Sequence, residues 1–200
     1  VYAVSDGAWG VQLVFDNKVI LGTRARKTRT RSFNAFSSID YPETAVFRDM
    51  RLIPFLRRPD PMPPVQFYGQ LDPAVFVLRL VPGMRADIIP LLAPHYRALV
   101  VESFGVGGLP GGEHGEMYAR LQDWCTSGRL AVFTTQVPHE GCDLAVYEVG
   151  RSVKELPGVL EAKDMTPEAV AVKLMWALGQ TTDRAEAMRL FTTPVEWDIV

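Results

Sequence analysis

Four prolines fall between Arg57 and Pro64, where the chain reads Arg-Arg-Pro-Asp-Pro-Met-Pro-Pro. Each proline fixes φ and removes a backbone donor, so neither a helix nor an interior strand can run through this stretch. The form open to it is an extended, stiff linker. The residues on either side must therefore organise separately. A boundary is placed here, giving residues 1–56 before the linker, 57–70 as the linker and 71–200 after it. Two hundred residues suffice for one large domain, or for a small domain with part of another.

Before the linker, Val11-Gln-Leu-Val-Phe15 and Lys18-Val-Ile-Leu-Gly22 are two strand-like runs separated by Asp16-Asn17. Asn tolerates the positive φ that a two-residue turn demands, so a β-hairpin is expected. The segment Thr23 to Ser32, with Arg24, Arg26, Lys27, Arg29 and Arg31, alternates Arg with Thr. It is expected to be strand or loop, outside the core. The chain opens on Val1 to Val4 and Ser5-Asp6-Gly7 without an initiator Met. That pattern is neither a signal nor a transit peptide, and the expectation is a piece of something longer.

After the linker, strand and helix signals alternate. Val75 to Val81 reads as a strand ended by Pro82-Gly83, and Ala86 to Leu92 as a helix in which Pro90 sits in the first turn or makes a kink. Ala98 to Val101 is a second strand. Glu116 to Trp124 sets Met117, Leu121 and Trp124 on one helical face. Leu130 to Phe133 is a third strand, running out at Thr134-Thr135-Gln136. Thr166-Pro167-Glu168 starts a helix: Thr caps, Pro suits the first helical position and Glu complements the dipole. This helix is expected to reach Leu178 and stop at Gly179, with Leu174, Met175 and Trp176 in the core. Asp183 to Phe191 is a last amphipathic helix. Alternation of this kind implies an α/β fold with a parallel sheet flanked by helices.

Composition narrows the functional classes. Apolar residues make up 48% and charged residues 22%, as in ordinary globular proteins. A net charge of −2 gives no electrostatic drive towards nucleic acid, and the Arg24 to Arg31 run has no aromatic interleaving. No apolar run is long enough to span a bilayer. Cys125 and Cys142 lack metal-ligand spacing and read as free thiols of a reducing compartment. His95, His114 and His139 are scattered, with none in a nucleophile-elbow or papain-like context. No cofactor or metal is expected.

The sharpest local feature is Glu102-Ser-Phe-Gly-Val-Gly-Gly-Leu-Pro-Gly-Gly112, directly after a buried strand. Ligands in open α/β sheets gather beyond the carboxyl ends of strands, and glycines let backbone N–H groups approach them closely. Gly105-x-Gly107 resembles the start of a dinucleotide fingerprint, but Pro110 and the delayed helix break it. The third strand adds hydroxyls and an amide at the same kind of position. The binding candidates are therefore Ser103, Gly105, Gly107, Gly108, Thr135 and Gln136.

These residues, in order, resemble a known family. Leu13-Val-Phe15, Asn17 to Gly22, Arg24, Lys27, Phe33 and Ala35-Phe36-Ser37 are similar to the hairpin and loop closing the N-terminal domain of asparaginases. Pro82-Gly83 with Asp87 resembles the start of their C-terminal domain. Ser103 to Gly107 resembles their glycine loop. Thr135-Gln136 through Asp143, Tyr147 and Gly150 resembles their Thr-Gln motif and the strand downstream of it. Ala162 to Ala169 with Lys173-Leu174 resembles their Asp-Met-Thr helix start. The resemblance is to the asparaginase and glutamyl-tRNA amidotransferase D group, and within it to the type I, cytoplasmic enzymes.

The resemblance implies the end of the N-terminal domain in residues 1–56 and the C-terminal α/β domain in 71–200. It implies hydrolysis of L-asparagine to L-aspartate and ammonia by a Thr nucleophile, in a cytoplasmic homodimer or homotetramer. The nucleophile segments Thr-Gly-Gly-Thr and Gly-Thr-Asp-Thr do not occur in these residues, so no catalytic residue is assigned and the chain alone is expected to be inactive. Ser5-Asp6-Gly7 resembles a family segment but stands too near the first strand. The alternatives are a piece of a D-type amidotransferase chain and a non-catalytic amino-acid-binding or oligomerisation module. For a regulatory asparagine site implied in some type I enzymes, Thr135 agrees. Glu102 stands where an Arg would meet a ligand carboxylate, Val137 where a Cys is common, and Gly108 in place of Asn. Glu102 is expected to repel that carboxylate.

Overall fold

The structure is a computed structural model that describes residues 2–5, 8–57, 59–61, 64–111, 115–146 and 148–200. Of the sequence features above, Val1, Asp6-Gly7, Arg58, Met62-Pro63, Gly112, His114 and Tyr147 lie outside the described residues. The chain divides into two compact units, Val1–Phe67 and Tyr68–Val200.

In the first unit, β1 (Gln12–Phe15) and β2 (Lys18–Leu21) form the expected hairpin, with Phe15 opposite Lys18. Asp16 and Asn17 both have positive φ, 48° and 60°, which matches the right-handed twist of the flanking strands. The unit holds more strand than this hairpin. β3 (Ala25–Lys27) pairs with β4 (Phe36–Ser38), and β5 (Ala45–Arg48) with β6 (Arg51–Pro54). The second hairpin also turns on two residues of positive φ, Asp49 and Met50. The larger sheet is antiparallel in the order β1-β2-β5-β6.

One expectation fails in this unit. The basic segment is not wholly outside the core, because Arg24 is fully buried. Its guanidinium lies 5.3 Å from the Tyr41 ring centre, and its carbonyl accepts from the Ile39 N–H at 2.9 Å. A planar, weakly hydrated cation can enter a core when an aromatic face meets it.

In the second unit, four parallel strands lie side by side in chain order: β7 (Val75–Arg79), β8 (Ala98–Ser103), β9 (Leu130–Thr135) and β10 (Val159–Glu161). Between them run α1 (Ile88–Leu92), α2 (Glu116–Thr126) and α3 (Glu148–Lys154). Strands added always on the same side, through crossovers of one hand, put these three helices on one face. After β10, α4 (Pro167–Gln180) and α5 (Arg184–Thr192) cover the other.

The pleat sorts the two cores. Leu99, Val101, Ala131 and Phe133 point to α1, α2 and α3, alongside Met117, Leu121 and Trp124. Their neighbours Ala98, Val100, Leu130 and Val132 point to α4 and α5, alongside Leu174, Ala177 and Phe191. With both faces covered, β8 and β9 are buried at every position. They therefore read as continuous apolar runs rather than as alternation.

The N-terminus of α4 forms as its sequence dictates, with Thr166 Oγ1 accepting from the Ala169 N–H at 3.2 Å and Pro167 at the first position. Its C-terminus differs. The helix continues through Gly179 to Gln180. A Cβ on Gly179 would stand 2.7 Å from the Gln70 carbonyl oxygen, so this glycine permits a close approach and does not stop the helix. Of Leu174, Met175 and Trp176, only Leu174 is fully buried, since three successive helical residues cannot share a face. Trp176 instead meets Tyr68 edge-on at 5.3 Å. The strand expected around Asp143 to Gly150 is also absent. Among the described residues, that stretch is a turn followed by α3, and the strand comes later, as β10.

Candidate functional site

The carboxyl ends of β7, β8 and β9 bring together all six candidates. Ser103 closes β8 and Thr135 closes β9, directly opposite each other in the parallel register. Ser103 is fully buried, and its hydroxyl donates to the Thr134 carbonyl at 2.8 Å. The Thr135 hydroxyl donates to the Gly105 carbonyl at short range and accepts from the Val137 N–H at 3.0 Å. The Gln136 amide nitrogen reaches across β8, donating to Leu80 O at 2.6 Å and Glu102 O at 2.9 Å. The polar hydrogens that nominated these residues are thus donated to the protein itself. They pin the glycine loop and the strand ends in one arrangement.

The loop is a tight reversal at the end of β8. The N–H groups of Gly107 and Gly108 both donate to Phe104 O, and Phe104 N–H donates back to Gly108 O. Gly107 has φ of 146°, and a Cβ there would lie 2.7 Å from the Leu144 side chain, so only glycine fits without displacing that residue. Gly105, at the tip, is exposed, whereas Gly107 is buried. Backbone at the tip, more than the side chains of Ser103 and Thr135 at the strand ends, is open to solvent.

Glu102 behaves differently from the expectation. It is only 7% exposed, and its carboxylate meets Arg79 Nη1 at 3.1 Å, where Arg79 is its register partner on β7. The repulsion expected of a lone carboxylate is therefore offset by a half-exposed arginine beside it. Arg79 could not be found from the sequence, because its role depends on which residue lies across from Glu102.

Two further groups join this end of the sheet. Cys142 Sγ lies 3.5 Å from Val106 O in the glycine loop. Burial pushes its thiol up to about 12, with the Glu161 carboxylate adding to the effect and a Ser103 hydrogen bond opposing it. Buried and held in the thiol form, it has the character of a packing residue. Glu161, at the end of β10, accepts from the Leu144 N–H at 2.8 Å and pairs with Lys154 at 2.8 Å. Beside them, Glu140, Cys142, Asp143, Glu161, Lys163 and Asp164 line a cleft of about 340 Å³. His139 is exposed in the loop after β9, and His95 lies at the opposite end of the sheet. Among the described residues no cluster of three or more His, Cys, Asp or Glu could hold a metal ion, and no helix is long and apolar enough to cross a membrane.

Residues 74–191 match the family Glutaminase/Asparaginase C-terminal domain, and residues 1–58 match Asparaginase, N-terminal. An L-asparaginase of Thermococcus kodakarensis is 34% identical over 194 residues, covering 95% of this chain and 57% of that protein. The D-type chain of a glutamyl-tRNA(Gln) amidotransferase from Metallosphaera sedula is 35% identical over 179 residues, covering 86% of this chain and 39% of that one. The solved thermostable L-asparaginase from T. kodakarensis superposes with a TM-score of 0.88 over 96% of this chain and 57% of its own. L-asparaginase I from Vibrio cholerae does so with a TM-score of 0.82 at 25% identity, over 94% and 57%. The chain thus spans little more than half the length of these asparaginases and about two fifths of the amidotransferase chain, yet their sequence pattern and their fold run through most of it: it belongs to the glutaminase/asparaginase family.

Proposed function

We propose that this chain supplies the C-terminal domain, and the closing part of the N-terminal domain, of an L-asparaginase that hydrolyses L-asparagine to L-aspartate and ammonia. The observation that carries this reading is the 34% identity to an L-asparaginase along 95% of the chain. The Thr-Gly-Gly-Thr and Gly-Thr-Asp-Thr segments of the resemblance do not occur in the 200 residues, so these residues alone give no turnover. Their contribution is a rigid wall. Ser103, Thr135 and Gln136 fix the strand ends through the bonds described above, Gly107 and Gly108 shape the loop, and Gly105 at its exposed tip presents backbone to asparagine, aspartate or a regulatory copy of either. Assembly is as a homodimer or homotetramer in which this wall closes a neighbour's site. The two free, buried thiols fit a reducing, cytoplasmic setting.

The test is ammonia release from L-asparagine, by the chain as it stands and by the product of the same reading frame extended upstream of Val1. No release from the first and turnover by the second is the expected result. Turnover by the 200 residues alone would overturn the reading, as would an upstream extension without a Thr nucleophile. The D-type amidotransferase alternative rests on 35% identity over a shorter stretch. It predicts an extended protein that passes its ammonia to a tRNA-dependent partner chain.

A further inference from the structure

At the amino-terminal edge of the parallel sheet, opposite the glycine loop, lies a cleft of about 380 Å³. Three chain segments line it, 93–97 before β8, 127–130 before and into β9, and 182–184 leading into α5, together with Leu178 of α4 and Ala187 of α5. Its charged lining is Arg97, Arg129 and Arg184, with Asp183 the one acidic residue among the described lining residues. The Asp183 carboxylate accepts from the Glu186 N–H at 3.1 Å as the cap of α5.

The three arginines are held differently. Arg129 is locked, donating to Tyr96 O, Ala93 O and Ser127 Oγ at 3.3, 2.8 and 2.6 Å with its guanidinium over Trp124. Arg97 binds Asp72 at 2.6 Å through one nitrogen. Arg184 has no such partners at two of its atoms: Nε and Nη2 are buried and find no acceptor among the described residues. The guanidinium rests against Gly158, where any Cβ would collide with Nη2. Burying charged donors without an acceptor is unfavourable, and a site that does so is poised to take one up.

We propose that this cleft binds a phosphate-type oxyanion, and that binding draws the Arg184 guanidinium off Gly158 to give its two unpaired nitrogens an acceptor. With Arg129 committed, the donors left for a ligand come from two sides: the Arg97 nitrogens not on Asp72, and Arg184 with the N-terminus of α5, whose partial positive charge adds to them. A carboxylate lies in one plane and is satisfied by one guanidinium fork, whereas a tetrahedral dianion offers acceptors in several directions at once. The cleft is larger than an inorganic phosphate needs, so both free phosphate and the phosphoryl group of a phosphomonoester fit its chemistry.

The test is a titration of the ¹⁵N-labelled chain at constant ionic strength with inorganic phosphate, with AMP, and with adenosine or chloride as controls. Saturable amide shifts confined to 95–97, 127–130 and 182–184, given by phosphate or AMP and not by the controls, are the expected result. Equal affinity for phosphate and AMP assigns the site to the free ion, and at least tenfold tighter AMP assigns it to a phosphomonoester. Arg184→Gln weakens binding at least tenfold. Thr182→Glu, an exposed change that adds a negative charge at the rim and leaves Arg184 in place, does so too. Linear shifts common to chloride, or saturable binding untouched by Thr182→Glu and Arg184→Gln, would overturn the proposal.

Discussion

Replacing Thr135 by Val separates two roles that a hydroxyl at a strand end can play. The substitution keeps the β-branched shape that suits the buried end of β9 and removes only the oxygen. Two hydrogen bonds disappear, one donated to Gly105 O and one accepted from Val137 N–H. Each is worth about 0.5–1.5 kcal/mol net, so a loss of about 1–3 kcal/mol brackets the effect. The structure decides where in that range it falls. Gly105 and Val137 are both exposed, so water can take over as partner to the freed carbonyl and N–H. The cost therefore lies at the low end, about 1 kcal/mol, or roughly a fivefold change in an equilibrium. It should be concentrated in the loop, whose Gly107 and Gly108 amides both donate to Phe104 O. Urea unfolding reads the first number, and hydrogen exchange of peptides covering 104–108 reads the second. Unchanged stability and unchanged exchange in that peptide would refute the claim that Thr135 pins the glycine loop. A loss above about 3 kcal/mol would show that the freed groups are not rescued by water.

Lys173 and Asp198 form an ion pair at 2.7 Å with side chains 6% and 3% exposed. Lys173→Met should destabilise the chain by about 3–5 kcal/mol by stranding the carboxylate, and Asp198→Asn in that background should recover much of it, both measured by denaturant unfolding. Gly179→Ala sets a helix gain of about 0.8–1.0 kcal/mol against a clash at Gln70 that costs about 1–3 kcal/mol, so calorimetry should show net destabilisation. Burial raises Cys125 to about 11 and Cys142 to about 12, so neither thiol should react with a disulfide reagent at pH 8 until the chain is unfolded. Because both values are raised in the folded state, the stability they confer is complete below the ordinary thiol value of 9.0. It should fall as the pH climbs from there towards about 11 and about 12, in an alkaline unfolding titration.

Much of the second unit was legible because local and global preferences agree there. The apolar runs of β8 and β9, the Thr166-Pro167 start of α4 and the Met117, Leu121, Trp124 face of α2 each point to one structure. The elements without a sequence signal are short or patternless. β10 has three residues, and the Asp49-Met50 turn uses a Met where no turn preference exists.

The linear order of residues by itself determined the hairpin at Asp16-Asn17, the strand-helix alternation after the prolines, and the place of Ser103, Gly105, Gly107, Gly108, Thr135 and Gln136 at or just beyond strand ends. These follow from dihedral preference and periodicity, which act over a few residues. Only the tertiary structure decided what those groups do. It placed Arg79 beside Glu102, committed the Thr135 and Gln136 donors to backbone carbonyls, buried Arg24, and left Arg184 without acceptors at two atoms among the described residues. Each outcome depends on register and on contacts between residues far apart in the chain, and a hydrogen-bonding group has no fixed role until its neighbour in space is known.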